Sequence, residues 1–183
     1  MRVLHIAPLH PLIQNHLLTL LPALRQAGIK TELLVIFAQH PPSPVIMAGM
    51  KRGGVPMYGL KLPHSTDLVH PTTPPSIMEV AQFIQTRHVD MIHTHLTIGD
   101  FLGGYGARWG NIASRISTRH DVDEDRSAEH WCVVAGLFNR HIALSDMLAD
   151  KIQSEGVARE QIIIPSDDIV GTHVTVYKTV LRG

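Results

Sequence analysis

Short aliphatic runs alternate with segments of helical period along most of this 183-residue chain, and that alternation restricts its fold more than any other feature. Arg2 to Ala7 (RVLHIA) and Lys30 to Phe37 (KTELLVIF) are near-continuous apolar runs, the pattern of strands buried on both faces of a parallel sheet. Between them, Leu17, Leu18, Leu20, Leu21 and Leu24 recur at helical spacing within Leu12 to Ala27, and Gly28 stands where a helix C-terminal cap is expected. A third strand is read in Val55 to Leu60, and Lys61 to Pro75, rich in Pro and without period, as a long loop. The second half continues with helix Ser76–Arg87, strand Asp90–His95, helix Ile98–Trp109 and strand Ile112–Arg119. Helix Asp125–Asn139, strand Arg140–Leu144, helix Ser145–Glu155 with Ser145 as N-cap, and strand Gln161–Ile164 follow. The expectation is an α/β fold: a doubly wound, Rossmann-like parallel sheet of about seven strands with helices on both faces.

Sixteen Lys and Arg balance sixteen Asp and Glu, so no net charge draws the chain to nucleic acid or to an anionic membrane. The apolar stretch Leu17 to Leu24 is far shorter than the roughly 20 residues of a spanning helix, and no transmembrane or targeting segment is read. A single cysteine, Cys132, can form no internal disulfide and suits a reducing compartment, so a cytoplasmic location is expected. Charged residues make up 17% of the chain against the roughly 25% usual for soluble domains, which predicts apolar surface for a second domain or a second copy of the chain.

In open α/β sheets, ligands bind outside the carboxyl ends of the strands. Histidines collect there. The first strand is followed by His10, Gln14, Asn15 and His16, the fourth ends in His93-Thr94-His95, and the fifth in His120-Asp121. Period-two geometry puts His93 and His95 on one face, which suits metal ligation, recognition of one polar ligand, or simple bonding to backbone groups. His64, His70, His88, His130 and His141 fall in loops, on helices or at element starts and are read as surface or packing residues. Gly103-Gly104-Tyr105-Gly106 lies inside a helix, not after the first strand as a dinucleotide fingerprint must, and reads as close helix packing. Neither a P-loop ending nor a GxSxG elbow is present, and Cys132 reads as a buried, inert thiol.

MRVLHIAP, LLPALRQAGIKTELLVI, VDMIHTHLTIGDFLGGYGAR, ISTRHD and HIALSDMLADKIQSEGV with IIIP occur in this order through about Pro165. As a set they resemble the N-terminal, acceptor-side domain of GT-B retaining glycosyltransferases of the group 1, family 4 type, which use nucleotide sugars. The resemblance implies that His120 faces the interdomain cleft near donor phosphate or acceptor and acts catalytically. By the same resemblance His95 and Asp121 shape the cleft, and His10 and Asn15 bind the acceptor. It implies no metal and no further cofactor. An imidazole there can donate a hydrogen bond to an oxygen that gains charge as the diphosphate departs. Three features depart from the family pattern. HPLIQNH replaces the usual Gly pair after strand one, Pro165-Ser166-Asp167-Asp168-Ile169 replaces Asn-Gly-Val-Asp, and none of the six Glu residues form the donor domain's Glu-x7-Glu.

The chain is therefore expected to divide into residues 1–165, one GT-B N-terminal-like domain, and 166–183, a linker and a C-terminal helix packing back on it. The nucleotide-sugar domain, in cis or in trans, would be its partner, and the chain alone would be inactive. Two rivals stand beside this reading: a metal-dependent hydrolase using His93, His95 and His120 with Asp121, and a non-catalytic scaffold.

Overall fold

A computed structural model describes residues 1–8, 10–62, 73–120 and 134–182. Its elements run β1 (Arg2–Pro8), α1 (Pro11–Gln26), β2 (Lys30–Phe37), α2 (Pro44–Arg52), β3 (Met57–Lys61), α3 (Thr73–Arg87) and β4 (Met91–His95). They continue with α4 (Leu96–Trp109), β5 (Ser114–Arg119), β6 (Arg140–Ala143), α5 (Asp146–Ser154), a 3-10 turn (Arg159–Gln161), β7 (Ile162–Ile163) and α6 (Ile169–Arg182). The strands form one seven-stranded sheet in the order β3-β2-β1-β4-β5-β6-β7, and every pairing is parallel. The order reverses between β1 and β4, so the crevice at their carboxyl ends is where such a sheet offers a ligand site.

Alternation along each strand builds a core on each face. Leu4, Ile6, Leu34, Ile36 and Ile92 pack beneath α3, α4 and α5 through Val80, Ile84, Leu102, Leu148 and Ile152. Val3, Ala7, Leu33, Val35, Met91, Ile116 and Ile142 point the other way, under Leu17, Leu20, Leu21 and Leu24 of α1, Met50 of α2, and Val176 and Tyr177 of α6. Helices therefore cover both faces, as the alternation of strands and helices implies. No described helix is long and apolar enough to cross a membrane.

Several boundaries and one element differ from the sequence reading. Helix α2 was not anticipated, because the run His40-Pro41-Pro42-Ser43-Pro44 reads as a break. Its start is nonetheless encoded: the Ile46 amide donates to Ser43 Oγ at 3.4 Å, Pro44 occupies the first turn, and Ile46 and Met50 bury one turn apart. Helix α3 starts at Thr73 rather than Ser76, since Pro74 and Pro75 are tolerated in a first turn that needs no amide donors. Of the helix read over Asp125 to Asn139, residues 125–133 lie outside the described ones, Val134 and Ala135 are helical, and Gly136 and Leu137 form a turn. The cap at Ser145 stands as read, with the Leu148 amide donating to its Oγ at 3.3 Å.

The glycines of α4 let that helix sit against the sheet and against α3. A Cβ at Gly103 would lie 2.5 Å from Thr94 Cγ2, one at Gly106 2.5 Å from Val80 Cγ1, and one at Gly99 2.9 Å from the Ile6 carbonyl oxygen. The last neighbour is backbone of a central strand and cannot swing aside. Gly99→Ala is therefore expected to destabilise the domain by about 1–3 kcal/mol despite alanine's better helix propensity. Urea unfolding of the two proteins checks this, and an unchanged or raised midpoint would refute the close approach.

Candidate functional site

The parallel register sets histidines side by side in the middle of the sheet. His5 of β1 lies opposite His93 of β4, and His95 opposite Thr118 of β5. Because His5 shares the face of Val3 and Ala7, and His93 and His95 that of Met91, all three imidazoles enter the layer covered by α1 and α6. All three are fully buried. Among the described residues, nothing charged pairs with them. They bond to one another and to two hydroxyls: His120 Nε2 lies 3.0 Å from His95 Nδ1, and His95 Nε2 lies 3.1 Å from His5 Nδ1. His5 Nε2 is 3.4 Å from the Tyr177 hydroxyl, which is 2.6 Å from His93 Nδ1, and His93 Nε2 is 2.6 Å from Thr118 Oγ1. The rings of His5 and His95 are inclined by only 14°, the near-coplanar arrangement in which a ring N–H points at its neighbour's in-plane lone pair.

Two more imidazoles flank this line. His16 of α1 meets the His120 ring edge-on at a centroid distance of 4.9 Å, and His173 of α6 lies 5.5 Å from the His93 ring. His173 Nδ1 donates to the Ile169 carbonyl one turn back at 2.7 Å. Burial lowers every one of these histidines, and neighbouring imidazoles add to the effect for five of them. His5, His93 and His95 are held well below the ordinary value, His16 is lowered by burial, His120 falls to about 3 and His173 to about 4. Burial raises Tyr177 well above its ordinary value. At neutral pH the site is thus a set of uncharged rings, each with one donor and one acceptor nitrogen.

The opposite face fixes the same strand ends. Asp100 of α4, fully buried, accepts from Thr94 Oγ1 at 2.5 Å and from Ser117 Oγ at 2.9 Å, tying β4 and β5 to the helix above them. Arg119, only 2% exposed, reaches across to Glu155 after α5, so the residue before His120 is anchored by a charge-assisted pair. Directly after His95, Leu96 takes φ 62, a left-handed conformation that bulky residues avoid, which turns the chain sharply into α4 at the crevice.

Of the residues singled out from sequence, His93, His95 and His120 come together in this array. His120 is partly exposed at the end of β5, with one ring nitrogen turned inward to His95. His95 has no exposed surface and both ring nitrogens engaged, and it supports His120 from behind. His10 and Asn15 are exposed, just before and within the first turns of α1, after β1. Asp121, His64, His70, His130 and Cys132 lie outside the described residues. His141 is a packing residue as read, buried with Nε2 at 3.3 Å from the Ala135 carbonyl. Sequence reasoning missed His5, hidden in an apolar strand, and the pair His173 and Tyr177, one helical turn apart. It named His16 only as one of four residues following β1. Among the described residues, the histidines that could share a metal ion are His5, His93 and His95, whose ligand atoms lie within 4.8 Å of one another, rather than a set including His120.

Residues 13–165 match the sequence profile of the family described as Glycosyltransferase Family 4. The chain belongs to that family. No curated protein matches it in sequence. Among solved structures, Staphylococcus aureus MnaA in complex with UDP superposes with a TM-score of 0.66 at 22% identity over 89% of this chain and 44% of that one. Anabaena HepE in complex with UDP-glucose gives 0.66 at 13% identity over 90% and 43%. The UDP-GlcNAc 2-epimerase of Neisseria meningitidis, bound to UDP-GlcNAc, gives 0.63 at 13% over 100% and 52%. These likenesses show the fold, and this family 4 domain spans about half the length of each such structure.

The buried imidazoles make the family 4 domain acid-sensitive. An unfolded histidine titrates near 6.5. Between that value and about 4, the unfolded chain takes up protons that His120 and His173 in the folded state refuse, so stability is fully present above pH 6.5 and falls as the pH drops. At about 1.4 kcal/mol per pH unit for each group, these two alone remove about 5 kcal/mol by pH 4.5, and His5, His93 and His95 act in the same direction. Urea unfolding followed by circular dichroism at pH 7.5, 5.5 and 4.5 measures the slope, and equal midpoints would contradict a neutral, buried array.

Proposed function

We propose that this domain is the acceptor-side half of a transferase that moves a sugar from a nucleotide-sugar donor to an acceptor, with His120 at the reacting centre. The observation that carries the reading is the position of His120: it ends β5 beside the crevice where the strand order reverses, partly exposed, with an inward nitrogen held at 3.0 Å by a fully buried His95. Its Nδ1 has no hydrogen-bond partner among the described residues and is the atom left for a ligand. A neutral imidazole there donates to a phosphate oxygen as charge builds on the departing diphosphate, and its preorganised support means that little reorganisation is needed at that moment. The family match and the likeness to folds solved with UDP and UDP-glucose support the same substrate class. His10 and Asn15, after β1, belong to the acceptor side of this cleft, and Asp121, the next residue in sequence after His120, is assigned to acceptor binding with them. The donor-binding half is supplied in cis or in trans.

Most contacts to the diphosphate belong to that other half. Each charge-assisted hydrogen bond it would provide is worth roughly 1.5–3 kcal/mol, so three of them amount to three orders of magnitude or more in affinity. The chain alone is therefore expected to bind UDP and UDP-sugars more weakly than micromolar in calorimetry and to transfer no sugar. Addition of a complementing donor domain is expected to restore transfer, and His120→Ala to lower the turnover of the assembled enzyme about 100- to 1,000-fold, the range for loss of one preorganised donor. Micromolar nucleotide binding or turnover by the chain alone, or full turnover of the His120→Ala enzyme, would overturn the assignment.

A further inference from the structure

The contacts linking His120 to the interior have a property that goes deeper than positioning. Each N···N contact holds one hydrogen, and a neutral imidazole carries one N–H. Once the direction of a single hydrogen bond is fixed, every other along the line follows, as long as the hydroxyl hydrogen of Tyr177 is itself spent on the line. We infer that His120, His95, His5, Tyr177, His93 and Thr118 form one directional chain of hydrogen bonds in which the Thr118 hydroxyl, relayed by Tyr177, sets which nitrogen of His120 carries its hydrogen.

An arrangement in which His5 and His93 both donate to the Tyr177 oxygen would leave the tyrosine's own hydrogen, fully buried, without an acceptor among the described residues. Two arrangements remain. In one, His120, His95, His5 and His93 all carry hydrogen on Nε2, and Thr118 Oγ1 accepts from His93. In the other, all four carry it on Nδ1: Thr118 donates to His93 Nε2, His93 to the Tyr177 oxygen, Tyr177 to His5 Nε2, His5 to His95 Nε2, and His95 to His120 Nε2. The buried end decides between them. Thr118 is fully buried, and among the described residues its hydroxyl has one partner, His93 Nε2. In the first arrangement its hydrogen would have no acceptor, and an orphaned buried donor is expensive. The chain therefore runs outward from Thr118, and His120 presents Nδ1–H to the crevice. To leave this arrangement, His120 would have to lose a proton from Nδ1 and Thr118, fully buried, would have to gain one from a place solvent does not reach, so the direction is set when the protein folds. Tyr177 is thus a positioning residue for His120, although it lies on α6. Its chemical consequence rests on the proposed role of His120 toward an anionic oxygen, which accepts from such a donor; the direction of the chain itself does not.

Nitrogen-15 NMR of the ligand-free chain, labelled in histidine, reads the direction, because protonated and bare ring nitrogens resonate far apart. At pH 7.5, His5, His93, His95 and His120 are expected as single Nδ1–H tautomers, the less common form of a free histidine side chain. One Nε2–H or mixed signal among the four would overturn the inference. In Tyr177→Phe, the single-tautomer signature is expected to be lost at His95 and His120, whose contacts do not include Tyr177. A folded variant that keeps it refutes the relay. Thr118→Val is expected to release the same signature and Thr118→Ser to retain it, and Thr118→Val protein that stays uniformly Nδ1–H would also refute it. These readouts use no nucleotide: a uniform Nδ1–H array in a protein whose assembled enzyme ignores His120→Ala would sustain the chain and refute the transferase role.

Discussion

An imidazole can be buried without a counter-charge when its neighbour is another imidazole. A neutral ring has one donor and one acceptor, so a row of them satisfies itself apart from its two ends. That requirement organises the centre of this domain. β1, β4 and β5 contribute His5, His93, His95 and Thr118, and the parallel register brings them level. The gap between His5 and His93 is closed by a hydroxyl from outside the sheet, that of Tyr177, so α6 packs on this face for more than its apolar contacts. Lacking that hydroxyl, two fully buried nitrogens would be unsatisfied.

The strand ends that carry His95 and His120 are restrained from both sides. On one face the imidazole line fills the space beneath α1 and α6; on the other, Asp100 bridges Thr94 and Ser117, and Arg119 pairs with Glu155. Opposite faces of consecutive residues are thereby engaged: Arg119 is held below the sheet and His120 above it. Mobility would be a disadvantage at such a place. A group that must meet developing charge does so best when its direction is fixed beforehand, and a fully packed, neutral support provides that without bringing a competing charge close to the ligand.

Much of this was legible in the sequence, for identifiable reasons. Buried parallel strands leave uninterrupted aliphatic runs, so β1 and β2 were readable nearly to the residue, and the Ser145 cap marked α5. His93, His95 and His120 stood out because polar residues that end an apolar run lie where α/β sheets place ligands. His5 did not, because one polar residue inside RVLHIA carries no information on its cross-strand neighbour; only the register, a three-dimensional fact, places it against His93. His173 and Tyr177 were hidden similarly: their spacing shows a shared helix face, but not which surface that face meets. Helix α2 was overlooked because prolines that open a helix and prolines that break one look alike until the cap at Ser43 is recognised.

The contact between Tyr177 and His5 joins residues 172 positions apart. Few links in a chain of this size are less local, and pairings of that kind form late because a large loop must close first. During synthesis, β1 leaves the ribosome long before α6 exists. Until α6 arrives, His5 and His93 have water where the tyrosine will be, and Ile116 and Ile142 lack the cover of Val176. The sheet can assemble beforehand, but the orientation of His120 cannot be completed. Maturation of the site thus waits for α6, the described helix farthest along the sequence from β1.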